Sequence, residues 1–376
     1  MRILELGKFY PPDRGGIETL LRIWCEGFVA AGDEVDCVVA NRSARTERSR
    51  INGVRVHRLA SLGMAMSTSI CPSYPTTPYR YPADLIHAHF PNPLADVACV
   101  MAPPKLPIVV TWHSDIVRQK SVLRLYRPLQ DALLRRATRI VVATPNHLTY
   151  SDCLPAFADK VVVIPFGLDL RRFEPQSVNQ QRVADLKHSA AGRPVLLNVG
   201  RLVGYKGQRY AIEALKDLPG TLLWLVGTGP LEEELHRHAA QLGVTDRVIF
   251  WGDVPDSELP CFFQACDIFV FPSISPNEAF GLVQVEAMSC SKPVVATDLK
   301  SGVPWVCRDG ETGRVVPPES GRSLALALEP LLGDECLRRR MGEAGRARAY
   351  AEFSAPVMIQ RYRQLFAGLV VADEAE

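Results

Sequence analysis

Short apolar runs that alternate with amphipathic stretches, in two successive series, limit what this chain can fold into. In the first half the runs are Ile3–Leu6, Val35–Ala40, Val54–Leu59, Leu85–Ala88, Ile108–Trp112, Ile140–Ala143 and Val161–Ile164. They are rich in β-branched residues and suit strands buried on both faces of a parallel sheet. Helical spacing separates many of them, notably from Ile17 to Ala31 and from Val122 to Ala137. Around Phe166-Gly167-Leu168-Asp169 the pattern stops, and Arg171 to Ala191 is polar. A second series follows: Val195–Val199, Leu222–Val226, Val248–Phe250, Ile268–Phe271, Val294–Ala296 and Arg314–Val316. The pattern predicts an α/β chain of two Rossmann-like, doubly wound domains, 1–170 and 171–353, with a C-terminal helix over 354–376 packing across both. Ligands are then expected in the crevice facing the carboxyl ends of both sheets.

Composition narrows the class. A length of 376 residues suffices for two domains, and 47% hydrophobic with 22% charged residues is globular. The formal charge of +2 argues against nucleic acid as a partner. The ten cysteines include no C-x-x-C pair, which suits reduced thiols better than disulfides or zinc. No segment approaches a membrane span, and the start Met1-Arg2-Ile3-Leu4-Glu5 is too charged for a signal peptide, so a cytoplasmic protein is expected.

Five motifs fall at predicted strand ends. In Asn277-Glu278-Ala279-Phe280-Gly281-Leu282, a loop follows an apolar strand and opens a helix that carries Glu286 about two turns on. Backbone N–H groups at that helix start would favour a phosphate or hydroxyl, and the two glutamates would face one crevice. In the plainer reading Glu278 offsets the helix dipole and Glu286 is a solvated face residue. In Val199-Gly200-Arg201-Leu202-Val203-Gly204-Tyr205-Lys206-Gly207, Arg201 offers a planar fork for phosphate and Lys206 a point charge, in a loop kept open by glycines 200, 204 and 207. Val226-Gly227-Thr228-Gly229-Pro230 is a strand-to-helix turn whose glycines suit close backbone approach. Gly15-Gly16 does the same after the first strand, where no G-x-G-x-x-G stands, so nicotinamide or flavin is disfavoured. Finally, Thr111-Trp112-His113-Ser114-Asp115 places His113 within reach of a sugar hydroxyl, with Asp115 a further candidate contact; a strand-end histidine is otherwise structural.

In this order, G-G-I-E, H-S-D, I-P-F-G-L-D, G-R-L-x-x-x-K-G, G-x-G-P and E-A-F-G-L-x-x-x-E-A resemble the retaining glycosyltransferases of family 4, which have the GT-B fold. The resemblance covers nearly the whole chain. It implies that Arg201 and Lys206 bind the donor diphosphate, that Glu286 holds the nucleotide ribose, and that Glu278 contacts the donor sugar with the backbone of Phe280, Gly281 and Leu282. It also implies that Gly16 lies near diphosphate and acceptor, and that His113 approaches the donor sugar. The connection from Tyr10 to Arg14 is wider than a minimal turn, which leaves open whether Gly15 or Gly16 touches the donor.

Breaking a glycosyl–phosphate bond builds negative charge on the leaving diphosphate, which Arg201, Lys206 and helix-terminal amides would stabilise without a metal. The chain has no D-x-D pair, and no carboxylate stands out as a covalent nucleophile. The expected reaction is a metal-independent hexosyl transfer with retention, from a GDP- or UDP-sugar, mannose favoured, to a glycan or a polyprenyl- or lipid-linked acceptor, with no cofactor. The base is expected near Trp251-Gly252-Asp253-Val254, with Val254 in contact. A GT-B phosphorylase, a nucleotide-sugar epimerase and a non-catalytic binding protein are the alternatives.

Between Arg118 and Arg139 seven basic residues face a single acid, Asp131, and Val122, Leu125, Tyr126, Leu129 and Leu133 form an apolar stripe. Such a helix suits an anionic membrane surface, which would make the protein peripheral on the inner face of the cell membrane. Equally, the stripe is domain core and the arginines its solvated face.

Overall fold

Parallel strands covered on both faces can be apolar throughout, as Leu222–Val226 and Ile268–Phe271 are in this chain. The computed structural model describes residues 1–13, 15–65, 68–116 and 120–373. It divides into two units: one of Met1–Leu168 with the segment from Ala355, the other of Asp169–Ser354.

The first unit holds β1 (Arg2–Leu6), β2 (Glu34–Ala40), β3 (Glu47–Ile51), β4 (Val54–Leu59), β5 (Met64–Ala65), β6 (Thr68–Ser69), β7 (Leu85–Phe90), β8 (Ile108–Trp112), β9 (Arg139–Val142) and β10 (Val161–Val163). Eight of them form one sheet in the order β10-β9-β8-β7-β1-β2-β4-β3. All its pairings are parallel except β3 with β4. The sequence Glu-Arg-Ser-Arg-Ile of β3 is exposed over nearly its whole length, so this edge strand carries no apolar signal and sequence reading passes over it. The antiparallel pair β5–β6 stands apart.

The second unit holds β11 (Val195–Val199), β12 (Leu222–Val226), β13 (Val248–Gly252), β14 (Ile268–Phe271), β15 (Val294–Thr297) and β16 (Gly313–Val316), all parallel, in the order β13-β12-β11-β14-β15-β16. In both sheets the chain works outward from the first strand in one direction and then resumes on its other side. The switch points lie between β1 and β7 and between β11 and β14. There the connections leave to opposite faces, and a crevice opens at the carboxyl ends.

The C-terminal helix Ala355–Asp373 groups with the first unit. Met358, Tyr362 and Phe366 recur every four residues and are buried, Phe366 against Phe28 of the helix Gly16–Ala30 at 5.4 Å between centroids. Arg363 adds an ion pair to Asp33 at 2.8 Å.

In the helix Lys120–Arg136, Leu133 and Leu134 lie in the core and Tyr126 packs against it, its hydroxyl donating to Asp96. Arg136 donates to the carbonyls of Pro103 and Leu106 at 2.7 and 2.9 Å. At these positions the apolar stripe is core, and it gives no support to a membrane contact; Arg118 lies outside the described residues. No described helix is long and apolar enough to cross a membrane. None of the ten cysteines forms a disulfide, and only Cys336 is exposed.

Candidate active site

In the second unit the loops after β11 and β14 meet at the switch point. Ile274 N–H donates to Tyr205 C=O at 2.8 Å, tying one loop to the other. Gly207, at φ 66°, has no room for a side chain: a Cβ there would lie 2.0 Å from the Pro272 carbonyl oxygen. This contact brings Lys206 and Glu278 together, Nζ to Oε2 at 2.5 Å, both largely buried. Ser273 Oγ donates to the same oxygen at 3.3 Å. An ammonium has three donors, so the pair leaves Lys206 able to bind an anion as well.

Arg201 is exposed, and its guanidinium makes no ion pair among the described residues. Its carbonyl accepts from Gln208 Nε2 at 3.0 Å, which fixes the backbone while the cation stays open. Behind it the β12 turn closes in: Leu202 N–H donates to Thr228 C=O at 3.0 Å. A Cβ at Gly229 would stand 2.4 Å from the Leu202 carbonyl oxygen. Gly229 thus lets one loop lie directly on the other.

The helix Leu282–Ser289 begins at an N-cap, Gly281, with no side-chain cap, which leaves first-turn N–H groups for a ligand. Glu286 is its fifth residue, one turn in and not two. Its electrostatic neighbours are Arg172 and Asp256; burial pushes its carboxyl up to about 7, against the pull of Arg172. Arg172 itself donates to the Asp256 carbonyl at 3.2 Å. The Phe280 ring turns inward, edge-on to Phe353 at 5.8 Å, and its carbonyl accepts from Gln284 Nε2 at 3.1 Å. Leu282 and Val254 are half-buried, Val254 just past β13.

A carboxyl whose pKa is raised on folding stabilises the fold below its unfolded value near 4.5 and loses that contribution as pH rises through about 7. Glu286→Gln is therefore expected to stabilise the second unit by about 1–2 kcal/mol at pH 8 and by about nothing at pH 4.5. Urea unfolding at the two pH values checks this; a variant equally stable with the parent at pH 8 contradicts it.

In the first unit the β1–β7 switch point is lined by a buried polar chain. Glu5 and His87 are register partners on adjacent strands, and His87 and His89 share one face of β7. Glu5 Oε1 lies 2.8 Å from His87 Nδ1, and Oε2 lies 3.0 Å from His89 Nε2. His87 Nε2 meets Thr111 Oγ1 at 2.7 Å, and that hydroxyl meets Tyr362 OH at 2.7 Å. His89 Nδ1 lies 3.3 Å from His113 Nε2. Burial pushes all three imidazoles down to about 3, so they are neutral near pH 7, and it raises the Glu5 carboxyl. Donor atoms of Glu5, His87 and His89 lie within 4.8 Å of one another, as a metal site would require, but the spacings are those of direct hydrogen bonds.

His113 itself stacks on Phe166 at 5.2 Å. Asp115 accepts from Trp112 Nε1 and Ser151 Oγ through one oxygen, at 2.8 and 3.0 Å, and from Asp152 N–H through the other at 3.1 Å. These bonds pin the loop. Gly15 is the N-cap of the helix Gly16–Ala30, and the space beside Gly16 is open.

Sequence reading missed Glu5, His87, His89, Arg172 and Ser273. The alternation in His87-Ala88-His89 was the available signal, since it sets two imidazoles on one face of a strand that is otherwise apolar. Arg172 had none, sitting in a polar stretch that reads as linker.

A family profile described as glycosyl transferases group 1 matches residues 182–348, and one described as a glycosyl transferase 4-like domain matches residues 15–167. The chain is 34% identical to the O-antigen chain mannosyltransferase C of Escherichia coli, over 98% of this chain and 99% of that one. It is 32% identical to a D-rhamnosyltransferase of Pseudomonas aeruginosa, over 97% and 92%. Among solved structures it is similar to sucrose-phosphate synthase from Thermosynechococcus elongatus, with TM-score 0.78, 24% identity and 99% of both chains covered. It is also similar to Anabaena HepE in complex with UDP-glucose, with TM-score 0.79, 22% identity and coverage of 98% and 100%.

Proposed function

We propose, for a chain that belongs to the group 1 glycosyltransferases and has their GT-B fold, that it transfers a mannosyl group from GDP-mannose to a glycan or lipid-linked acceptor in cell-surface polysaccharide synthesis, with retention of configuration. The observation that carries this is the Lys206–Glu278 pair beside the unmatched Arg201 at the β11–β14 switch point. A nucleotide diphosphate placed there meets two cations and the uncapped start of the helix Leu282–Ser289, which together oppose the charge that develops as the glycosyl–phosphate bond breaks. Glu278, held by Lys206 and Ser273, accepts from a hydroxyl of the donor sugar, and Glu286 accepts from the ribose. No carboxylate is placed as a covalent nucleophile in this scheme. The acceptor attacks on the face the diphosphate leaves, and a diphosphate oxygen takes its proton.

Mannose is favoured because the two relatives act on mannose and on D-rhamnose, which is 6-deoxy-mannose. With both cations supplied by side chains, transfer is expected to proceed at an unchanged rate in excess EDTA. Incubating the protein with GDP-mannose, UDP-glucose or UDP-galactose and lipid-linked glycan from a polysaccharide-producing cell measures nucleotide release. NMR of the product reads the new anomeric centre. Release from UDP-hexoses alone overturns the donor, a β-mannosyl product overturns retention, and loss of activity in EDTA restored by a divalent cation overturns metal independence.

A further inference from the structure

The chain Tyr362–Thr111–His87–Glu5–His89–His113 joins five elements of the first unit without a gap. Each ring nitrogen of His87 and His89 has one partner. Nδ1 of His113 makes no hydrogen bond to a described residue, and it is not among the atoms that are both sealed and unpartnered. Protons on such a chain cannot be placed independently. A nitrogen–nitrogen contact is a hydrogen bond only if one member carries the hydrogen and the other a lone pair.

The hydrogen bond from His89 opposes the upward push of burial on Glu5, and with the carboxyl ionised both its oxygens must receive a donor. His87 then carries its hydrogen on Nδ1 and His89 on Nε2. His87 Nε2 accepts from the Thr111 hydroxyl, whose oxygen accepts from Tyr362. His89 Nδ1 is left bare and takes the hydrogen of His113 Nε2. His113 Nδ1 is consequently a lone pair.

We propose that Glu5 and His89 are positioning residues that fix the tautomer of His113, so that its outward nitrogen, Nδ1, is presented as a hydrogen-bond acceptor for a hydroxyl of the sugar substrate. This rests on the glycosyltransferase reading only for the identity of that hydroxyl. The arrangement commits His113 before any ligand arrives, since a free imidazole exchanges its two tautomers and presents a donor part of the time. It also assigns Trp24, edge-on to His87 and His113 and tilted on His89, to sealing the chain from water.

Long-range proton–nitrogen NMR of the ¹⁵N-histidine-labelled full chain at pH 7.5, without ligand, tests the proposal directly. The expected result is one tautomer at each ring, hydrogen on Nδ1 of His87 and on Nε2 of His89 and of His113. Hydrogen on Nδ1 of His113, or an exchanging mixture there, overturns the proposal. So does one equivalent of zinc in the purified protein, because a metal would need the nitrogens facing Glu5 bare. In Glu5→Gln the amide can accept from only one of the two imidazoles, so either His87 or the His89–His113 arm must reverse. Three unchanged tautomers overturn the proposal. Separately, His113→Phe is expected to raise the donor KM about tenfold with kcat within about threefold. An unchanged KM would remove the sugar contact and leave the tautomer result standing.

Discussion

Replacing Lys206 by alanine is expected to lower kcat about 10²–10³-fold at a temperature where the variant remains folded. The argument rests on where the charge sits. Lys206 is held at 2.5 Å from Glu278, with two further N–H groups unassigned, on a loop that is fixed through the backbone. Loss of the ammonium removes a cation that a leaving diphosphate needs most when its charge has fully developed, so the loss appears in kcat. An ordinary ion pair at the rim of a domain would behave otherwise: it contributes about 0–1 kcal/mol to stability and nothing to turnover. A Lys206→Ala variant that turns over within about twofold of the parent would mean that the pair is structural. Glu278→Ala supplies the second half of the test. Because each partner orients the other, Lys206→Ala with Glu278→Ala is expected to lose less than the sum of the two single losses.

How much of this was legible before the structure depends on whether a residue announces itself locally. The strands were, because a parallel strand covered on both faces is an apolar run whatever surrounds it; Ile268-Phe269-Val270-Phe271 could hardly be anything else. Edge strand β3 was not, since Glu-Arg-Ser-Arg-Ile faces solvent and its partner lies across a turn. The strand-end loops could be placed, but the length of helix before Glu286 could not, because Gly281 adopts φ 75° as a cap and delays the helix to Leu282. Asp115 shows the opposite limit. A carboxylate beside His113 reads as a ligand contact, but its bonds from Trp112, Ser151 and Asp152 could not be read there, because Ser151 and Asp152 lie 36 and 37 residues away in the chain. The histidine chain is the furthest from sequence, since its members come from three strands, a loop and the last helix. Only the sheet order makes them neighbours.

The glycines of the Arg201–Lys206 loop sharpen the same point into a contrast. They read alike in sequence, as residues that keep a loop open, but they sit in different surroundings. Gly204 has nothing within 4 Å of a Cβ position, so Gly204→Ala is expected to leave stability and turnover unchanged. Gly207 lies at φ 66°, where an L side chain costs about 1–2 kcal/mol, and its Cβ would stand 2.0 Å from the Pro272 carbonyl oxygen and 3.0 Å from Ile274. Neither obstacle is the free end of a long side chain, so relief requires the β11 and β14 loops to separate and the bond from Ile274 N–H to Tyr205 C=O to stretch. Strain and lost contacts together amount to about 3 kcal/mol, and Gly207→Ala is expected to melt the second unit about 6–10 °C earlier. Turnover should fall further than stability accounts for, to about 1% or less, because the residue displaced first is the neighbouring Lys206 and misplacement by about 1 Å costs about 10²-fold. Calorimetry of the two variants beside their kinetics decides the matter. If Gly207→Ala melts and turns over like Gly204→Ala, the two loops do not press on each other, and Lys206 is not held where a diphosphate would need it.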